Sequence, residues 1–228
     1  MTGIVIPARD EAGTVERVVR AARAAVPDAH VVVVDDASRD DTAARALRAG
    51  ADVVTLLEHQ GYAQALRAGY RATLAAGATR VAQMDADGQH EAGDLVALLD
   101  ALDGFDVVVG SRFLGPGYAM PVTRRAGIAA CRWMTRVIGG LSVTDPTSGL
   151  RAFRRPVAAA VVADGFPDGL TESSFLIRLH RSGHTIGEIP VRMHPPGPDS
   201  MHDGLAGVVH FARISRAALA LALTRSQR

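Results

Sequence analysis

The chain contains no lysine, so all 25 of its basic side chains are arginine. Every phosphate contact from such a side chain must therefore use a planar guanidinium fork rather than a compact ammonium. The bias fits a GC-rich bacterial genome. Cysteine is nearly absent too: Cys131 stands alone, which excludes an intramolecular disulfide and a thiolate metal cluster. Its surroundings read as the buried face of a helix. Net charge is small, at +1, and gives no support for non-specific nucleic-acid binding, which needs a strongly basic face. Long apolar runs are missing as well. A membrane-spanning helix takes about 20 consecutive apolar residues. The best candidate, near the C-terminus, is broken by Arg213 and Arg216 and leaves only Ala217 to Leu223. Residues 1–8 enter an apolar run with no basic segment or small-residue cleavage site. The expectation is a cytoplasmic protein, with peripheral contact at the inner face of the membrane left open.

What is present is an ordinary core-forming composition, with 48% hydrophobic and 21% charged residues in a chain of 228. The first half alternates short β-branched runs with helical patterns. Ile4-Val5-Ile6 reads as a strand, and Val15, Val18, Val19 and Ala22 then recur at helical spacing. Val31 to Val34 is apolar on both faces, as an interior parallel strand requires. Asp40 or Asp41 caps a helix that ends at Gly50, Val53 to Leu57 gives a third strand, and a helix follows from about Tyr62 to Ala76. Val81 to Met84, Asp94 to Leu102 and Asp106 to Gly110 add a strand, a helix and a strand. Such alternation predicts a mostly parallel sheet covered by helices, with ligands bound along the rim where the strands end.

Beyond residue 112 the pattern loosens. Leu114 to Val122 reads as a loop, Arg125 to Ile138, Pro156 to Ala163 and Ser173 to Ser182 as helices, and Ile186 to Val191 as a strand. His194 to Gly204 is a Pro- and Gly-rich loop before a final helix from about Leu205 to Leu223. That helix would pack on the domain, pair with a second subunit as a homodimer, or lie on a membrane surface.

The polar residues gather on the predicted rim: Pro7 to Glu11, Asp35-Asp36, Asp85 to His90, and Ser111-Arg112. Asp85-Ala86-Asp87-Gly88-Gln89-His90 closes a buried strand, and its oxygens suit Mg²⁺ or Mn²⁺ shared with substrate phosphates. A cation bridging a pyrophosphate neutralises the charge of the leaving group. Asp36 ends the all-valine strand, where an acid commonly receives a ribose or base. Arg112, beside Ser111, and Arg151, near Gly149, are the cations best placed for phosphates.

In their order, Ile6 to Glu11, Val34 to Ser38, Asp85 to His90, Gly110 to Phe113, Asp145 to Phe153 and Gly187 to Val191 resemble the inverting glycosyltransferases of family 2. The closest likeness within them is to the dolichyl- or polyprenyl-phosphate mannose synthase-like group. The resemblance implies an α/β chain with a single GT-A (Rossmann-like) domain over residues 1–204, its mostly parallel central sheet flanked by helices on both faces. A nucleotide-binding half, about 1–111, would precede an acceptor half, about 112–204, with the C-terminal helix occupying 205–228. Pro7, Arg9, Glu11 and Asp36 would hold the base and ribose of a nucleotide-sugar donor. Asp85, with Ala86 beside it, would touch the nucleotide, while Asp87 and Gln89 would coordinate Mg²⁺ or Mn²⁺. Arg112, Arg125 and Arg151 would face phosphates of donor or acceptor. Arg9-Asp10 replaces the Tyr-Asn usual in the family. The 194–201 loop keeps only Gly197 and Ser200 of the usual Arg-x-x-Gly-x-Ser-Lys run.

The expected activity is metal-dependent transfer of a hexose from a GDP- or UDP-sugar to a polyprenyl phosphate, with inversion at the anomeric carbon. The altered 194–201 loop favours an alternative, transfer to a small-molecule hydroxyl, for which Glu172 is the candidate base. A nucleotidyltransferase would show a Gly-rich basic loop after the first strand, which Pro7 to Gly13 does not supply.

Overall fold

The computed structural model describes residues 1–116, 120–163 and 172–195, with the side chain of Glu172 outside that set. Its strands are β1 (Thr2–Ala8), β2 (His30–Asp35), β3 (Asp52–Thr55), β4 (Arg80–Gln83), β5 (Val107–Ser111), β6 (Arg151–Arg154) and β7 (Ile186–Pro190). Between them run helices α1 (Val15–Ala25), α2 (Thr42–Arg48), α3 (Tyr62–Ala75), α4 (Asp94–Ala101), α5 (Val122–Gly139), α6 (Arg155–Val162) and α7 (Glu172–Arg181). The strands form one sheet in the order β3-β2-β1-β4-β6-β5-β7. All neighbours are parallel except β6, which runs antiparallel to both β4 and β5.

The alternation of side chains along a strand divides the core in two. On one face Ile4, Ile6, Val31 and Val33 meet Val15, Val18, Val19 and Ala22 of α1 and Leu95 and Leu98 of α4. On the other, Val5, Val32 and Val34 meet Ala65, Leu66 and Tyr70 of α3, while Phe153 and Val157 continue the layer with Leu176 and Leu179 of α7. Each fully buried Val, Ile or Leu contributes about 1.5–3 kcal/mol. The unbroken valines of β2 thus serve both layers at once.

The boundaries differ from the sequence expectation in physically instructive places. β3 stops at Thr55 because it is an edge strand, and its only partner, β2, ends opposite at Asp35. Leu57, expected inside that strand, is fully exposed. β6 was not anticipated, since Arg-Ala-Phe-Arg carries no apolar run; it is a strand because it fills the gap between β4 and β5. Helix α5 begins at Val122, earlier than Arg125, and buries Cys131 as expected. The Asp40 carboxylate accepts from Thr42 N–H at 3.0 Å, whereas Asp41, at the N-cap position, makes no side-chain cap. The C-terminal helix expected over 205–223, and the loop from residue 196 onward, lie outside the described residues. No helix among the described residues is long and apolar enough to cross a membrane.

Candidate active site

The loops that leave β1 and β2 are stitched together. Asp10 N–H donates to Ser38 Oγ (3.0 Å), Arg39 N–H to Asp10 Oδ1 (2.7 Å), Glu11 N–H to Thr42 Oγ1 (2.8 Å) and Ala12 N–H to Asp40 Oδ2 (3.0 Å). Asp10 holds a left-handed backbone, φ +54°, which a short polar side chain tolerates because it bonds its neighbours locally. Pro7 is buried in β1, and Arg9 sits half-exposed, 3.9 Å from the Asp10 carboxylate. Glu11 accepts the Thr14 hydroxyl at 2.6 Å. Burial pushes its carboxyl above the usual range; the Thr14 bond opposes this, and the charges of Asp87 and Asp85 push it further up. Glu11, Asp85 and Asp87 therefore share one negative field.

Asp36 is nearly buried, and its oxygens accept from Gln60 N–H (2.7 Å), Gly61 N–H (2.8 Å) and the His59 ring (2.8 Å). It ties the loop after β3 to the rim. Tyr62, the next residue, donates its hydroxyl to Asp85 Oδ1 at 2.8 Å. The segment His59 to Tyr62 thus bridges both acids that the sequence assigned to the nucleotide. Asp85 is confined from two further sides. His90 Nε2 lies 3.3 Å from Oδ2, and a Cβ at Gly149 would come within 2.1 Å of that oxygen, so only glycine fits there. Beneath it, Gln83 Nε2 donates to the Gly149 carbonyl (2.9 Å), and the Gln83 amide oxygen accepts from the buried Tyr70 hydroxyl.

Asp87 Oδ1 accepts Gln89 N–H at 2.9 Å. The Gln89 side chain is 1% exposed, and neither its amide oxygen nor its nitrogen has a hydrogen-bond partner among the described residues. Leaving a buried polar group unsatisfied costs about 1–3 kcal/mol, so this orphaned amide, two residues along from Asp87, marks a place for a ligand. No group of three His, Cys, Asp or Glu among the described residues could hold a metal unaided. A divalent cation here would take Asp87 and Gln89 and complete its octahedron with phosphate and water oxygens, the usual manner of Mg²⁺. The residues present fit that group. Ala86 is buried between the two acids.

The acceptor half handles charge differently. Arg112, 5% exposed, bonds through Nε to Asp145 Oδ2, and its own N–H reaches the same oxygen at 3.3 Å. Asp145 is fully buried and is fixed in turn by Glu188 of β7, which accepts from Thr144 N–H (2.6 Å) and Asp145 N–H (2.9 Å). Arg151, 3% exposed, donates from Nη2 to the Pro146 carbonyl (3.0 Å) and lies 5.7 Å from the Phe175 ring centroid. Its Nε has no partner among the described residues. Arg125 is exposed on the first turn of α5. Glu172 opens α7, but its side chain lies outside the described residues.

The structure therefore gathers Glu11, Asp36, Asp85, Asp87 and Gln89 on one rim and buries Arg112 and Arg151 in the sheet's other half. Sequence reading missed His59, Tyr62, Gln83 and Asp145 as site-building residues. It also missed that His194 N–H bonds the Gln89 carbonyl at 2.7 Å, laying residues 193–194 against the acidic loop. The loop after β3 carried a usable signal: it leaves a parallel strand and must emerge on the same rim.

The glycosyl transferase family 2 model matches residues 3–161. An undecaprenyl-phosphate mannosyltransferase of Micrococcus luteus is 34% identical, over 94% of this chain and 93% of its own length. A polyprenol monophosphomannose synthase of Mycolicibacterium smegmatis is 31% identical, over 83% and 76%. A dolichyl-phosphate hexose transferase of Haloferax volcanii is 32% identical, over 77% and 75%. Among solved structures, glucosyl-3-phosphoglycerate synthase of Mycobacterium tuberculosis superposes with a TM-score of 0.71 at 23% identity, covering 97% of this chain and 80% of that one. That likeness carries the GT-A fold. With six motifs in order and these matches across most of its length, the chain belongs to glycosyl transferase family 2, in the polyprenyl-phosphate sugar synthase-like group.

Proposed function

We propose that this glycosyltransferase uses a divalent cation to move a hexose from a nucleotide-diphosphate donor to a polyprenyl phosphate, inverting the anomeric carbon. The observation that carries the metal and donor assignment is the orphaned side-chain amide of Gln89, a residue whose backbone N–H bonds the Asp87 carboxylate. Pro7, Arg9, Glu11, Asp36, Asp85 and Ala86 form the nucleotide side. Asp87 and Gln89 hold Mg²⁺ or Mn²⁺, which when bound neutralises charge on the departing diphosphate. The same fold holds Mn²⁺ and UDP-glucose in the mycobacterial synthase. The acceptor assignment rests on the relatives named for undecaprenyl-phosphate, polyprenol and dolichyl-phosphate substrates.

In this reading Asp85 is held by Tyr62 and Gly149 so that it meets the nucleotide in one orientation. Arg112 and Arg151, with Arg125 at the mouth, offer guanidinium edges to donor or acceptor phosphates. An acceptor phosphate is already anionic at neutral pH, and the transfer needs no strong base; Glu172 would act as base only for a hydroxyl acceptor. In the same reading residues 1–111 bind the donor and 112–204 shape the acceptor side.

The test is thermal shift with Mn²⁺ and a panel of nucleotide sugars, followed by transfer to a short-chain polyprenyl phosphate. A donor present at 100 times its Kd adds about 2.7 kcal/mol. Asp87→Ala is expected to lower turnover roughly 10²–10³-fold, the scale of losing one preorganised electrostatic contact, while keeping the melting temperature of the unliganded protein. No shift with any donor, or metal-independent turnover at the wild-type rate, would overturn the reading.

A further inference from the structure

Gln83 ends β4 beneath the acidic loop and is 2% exposed. Three groups converge on its amide. The nitrogen donates to the Gly149 carbonyl at 2.9 Å and to the Tyr62 hydroxyl at 3.4 Å, and the oxygen accepts from the Tyr70 hydroxyl. The amide can sit only this way round. A carbonyl never donates, so the nitrogen must face Gly149 and the oxygen is left for Tyr70. Burial pushes the Tyr70 phenol above its ordinary range, so it remains a donor. The Tyr62 hydroxyl, having accepted from Gln83, donates its own hydrogen to Asp85 Oδ1 at 2.8 Å. Donation thus runs one way, from Tyr70 through Gln83 and Tyr62 to Asp85, and each bond polarises the next.

Both groups that the Gln83 nitrogen holds belong to the seat of Asp85. Tyr62 grips one carboxylate oxygen, and Gly149 stands so close to the other that a Cβ there would lie 2.1 Å from it. Gly149 also lies in the 145–150 loop, which carries Asp145, the buried partner of Arg112. We propose that Gln83 is a positioning residue that aligns the two halves of the site, setting Asp85 through Tyr62 and Gly149 and setting the Arg112-bearing loop through the Gly149 carbonyl. The inference rests on Asp85 meeting the nucleotide, as in the proposed function. Gln83 acts through its neighbours, from beneath the rim. A purely structural amide, there only to satisfy the Tyr70 hydroxyl in the core, would behave differently when its partners are removed one at a time.

Three variants of the full chain separate the two roles. Tyr70→Phe withdraws the core donor and leaves both donations from Gln83 in place. Gln83→Met keeps the length of the side chain and withdraws its polar atoms. The double variant lacks both members of the Tyr70–Gln83 pair, which is less unfavourable than leaving one of them unsatisfied. Melting temperature is expected to fall in each single variant and to recover partly in the double. Donor KM should stay at the wild-type value in Tyr70→Phe and rise roughly tenfold in Gln83→Met and in the double variant alike. In those two kcat is expected to fall roughly tenfold as well, because the arginine-bearing loop shifts with Gly149. Amide exchange over residues 146–150, followed without donor or metal, should quicken only in the two variants that lack Gln83. A donor KM that recovers with the melting temperature in the double variant would overturn the proposal. So would exchange over 146–150 that Gln83→Met leaves unchanged. Because exchange needs no donor, a wild-type protein that binds no nucleotide sugar would overturn the proposed function instead, and the two failures are told apart.

Discussion

The two halves of the rim treat charge in opposite ways. On the donor side burial, with the charges of Asp87 and Asp85 behind it, raises the Glu11 carboxyl. Supports of Asp85 and Asp87 include a backbone N–H group, the Tyr62 hydroxyl, the His90 ring and the tight seat against Gly149. On the acceptor side the charge is settled internally. Arg112 is paired with a fully buried Asp145, and Glu188 fixes Asp145 through the backbone. The contrast separates an orphaned buried amide, Gln89, on one side from an ion pair satisfied within the fold on the other. In the proposed function a cation completes the donor side, whereas the Arg112–Asp145 pair is part of the folded scaffold.

Removing one member of each arrangement should separate them sharply. Asp145→Ala leaves Arg112 charged and uncompensated in the core, a change that costs about 3–5 kcal/mol. Denaturant unfolding is expected to show that loss in full, whereas Asp87→Ala should leave unliganded stability unchanged or slightly higher. Equal stabilities for the two variants would break the comparison, because Asp145 would then be no more structural than Asp87.

A smaller effect is expected at the bridge between the acids. Tyr62→Phe keeps the ring of α3's first residue but withdraws the hydroxyl from Asp85 and from Gln83 Nε2, 3.4 Å away. A hydrogen bond to a charged group is worth about 1.5–3 kcal/mol when buried and less at this partly exposed position. The donor KM is expected to rise roughly fivefold to tenfold, the equivalent of about 1–1.4 kcal/mol, with kcat changed less. A KM at the wild-type value would show that Asp85 holds its orientation through His90 and Gly149 alone.

The same contrast explains what the sequence could disclose. The donor half is built from parallel strands and short following helices, and each element carries its own local signal. The valines of β2, the i, i+3, i+4, i+7 spacing in α1 and the acids at strand ends are read directly, and the structure sets them on one rim. The acceptor half depends on register. Arg151 lies in a strand only because it is opposite Gln83 of β4 and Val109 of β5, and no pattern within Arg-Ala-Phe-Arg says so. Glu188 was visible as part of a motif, but its grip on Thr144 and Asp145 spans more than forty residues and needs the β5–β7 pairing to exist. Arg112 looked like a free phosphate ligand because a buried partner 33 residues away leaves no mark on local sequence. Asp36 was legible as a rim acid, but the loop it holds, His59 to Gly61, follows an edge strand whose extent was overestimated.

Glu11 gives the finest test of the donor-side field. Its carboxyl is raised first by burial and then by Asp87 and Asp85, against the Thr14 bond, so the folded chain binds its proton more tightly than the unfolded chain does. The sign follows from linkage. Below the ordinary glutamate range both states are protonated and Glu11 costs nothing; as pH rises through the elevated folded value, the protein must ionise a half-buried acid beside two others, and stability falls. Glu11→Gln removes that charge. At neutral pH and without metal the variant is expected to melt roughly 1–3 °C above the wild type, the scale of a few tenths to one kcal/mol in a chain of this length. The gap should close as pH is lowered below the ordinary glutamate range. It should also narrow when Mn²⁺ and a nucleoside diphosphate are added, since a cation held by Asp87 and Gln89 relieves the repulsion that makes the glutamate unfavourable. A gap that closes with pH but is unchanged by metal would mean that Glu11 is raised by burial alone and does not sense the acids that define the donor side; a gap independent of pH would mean that its carboxyl is not raised at all.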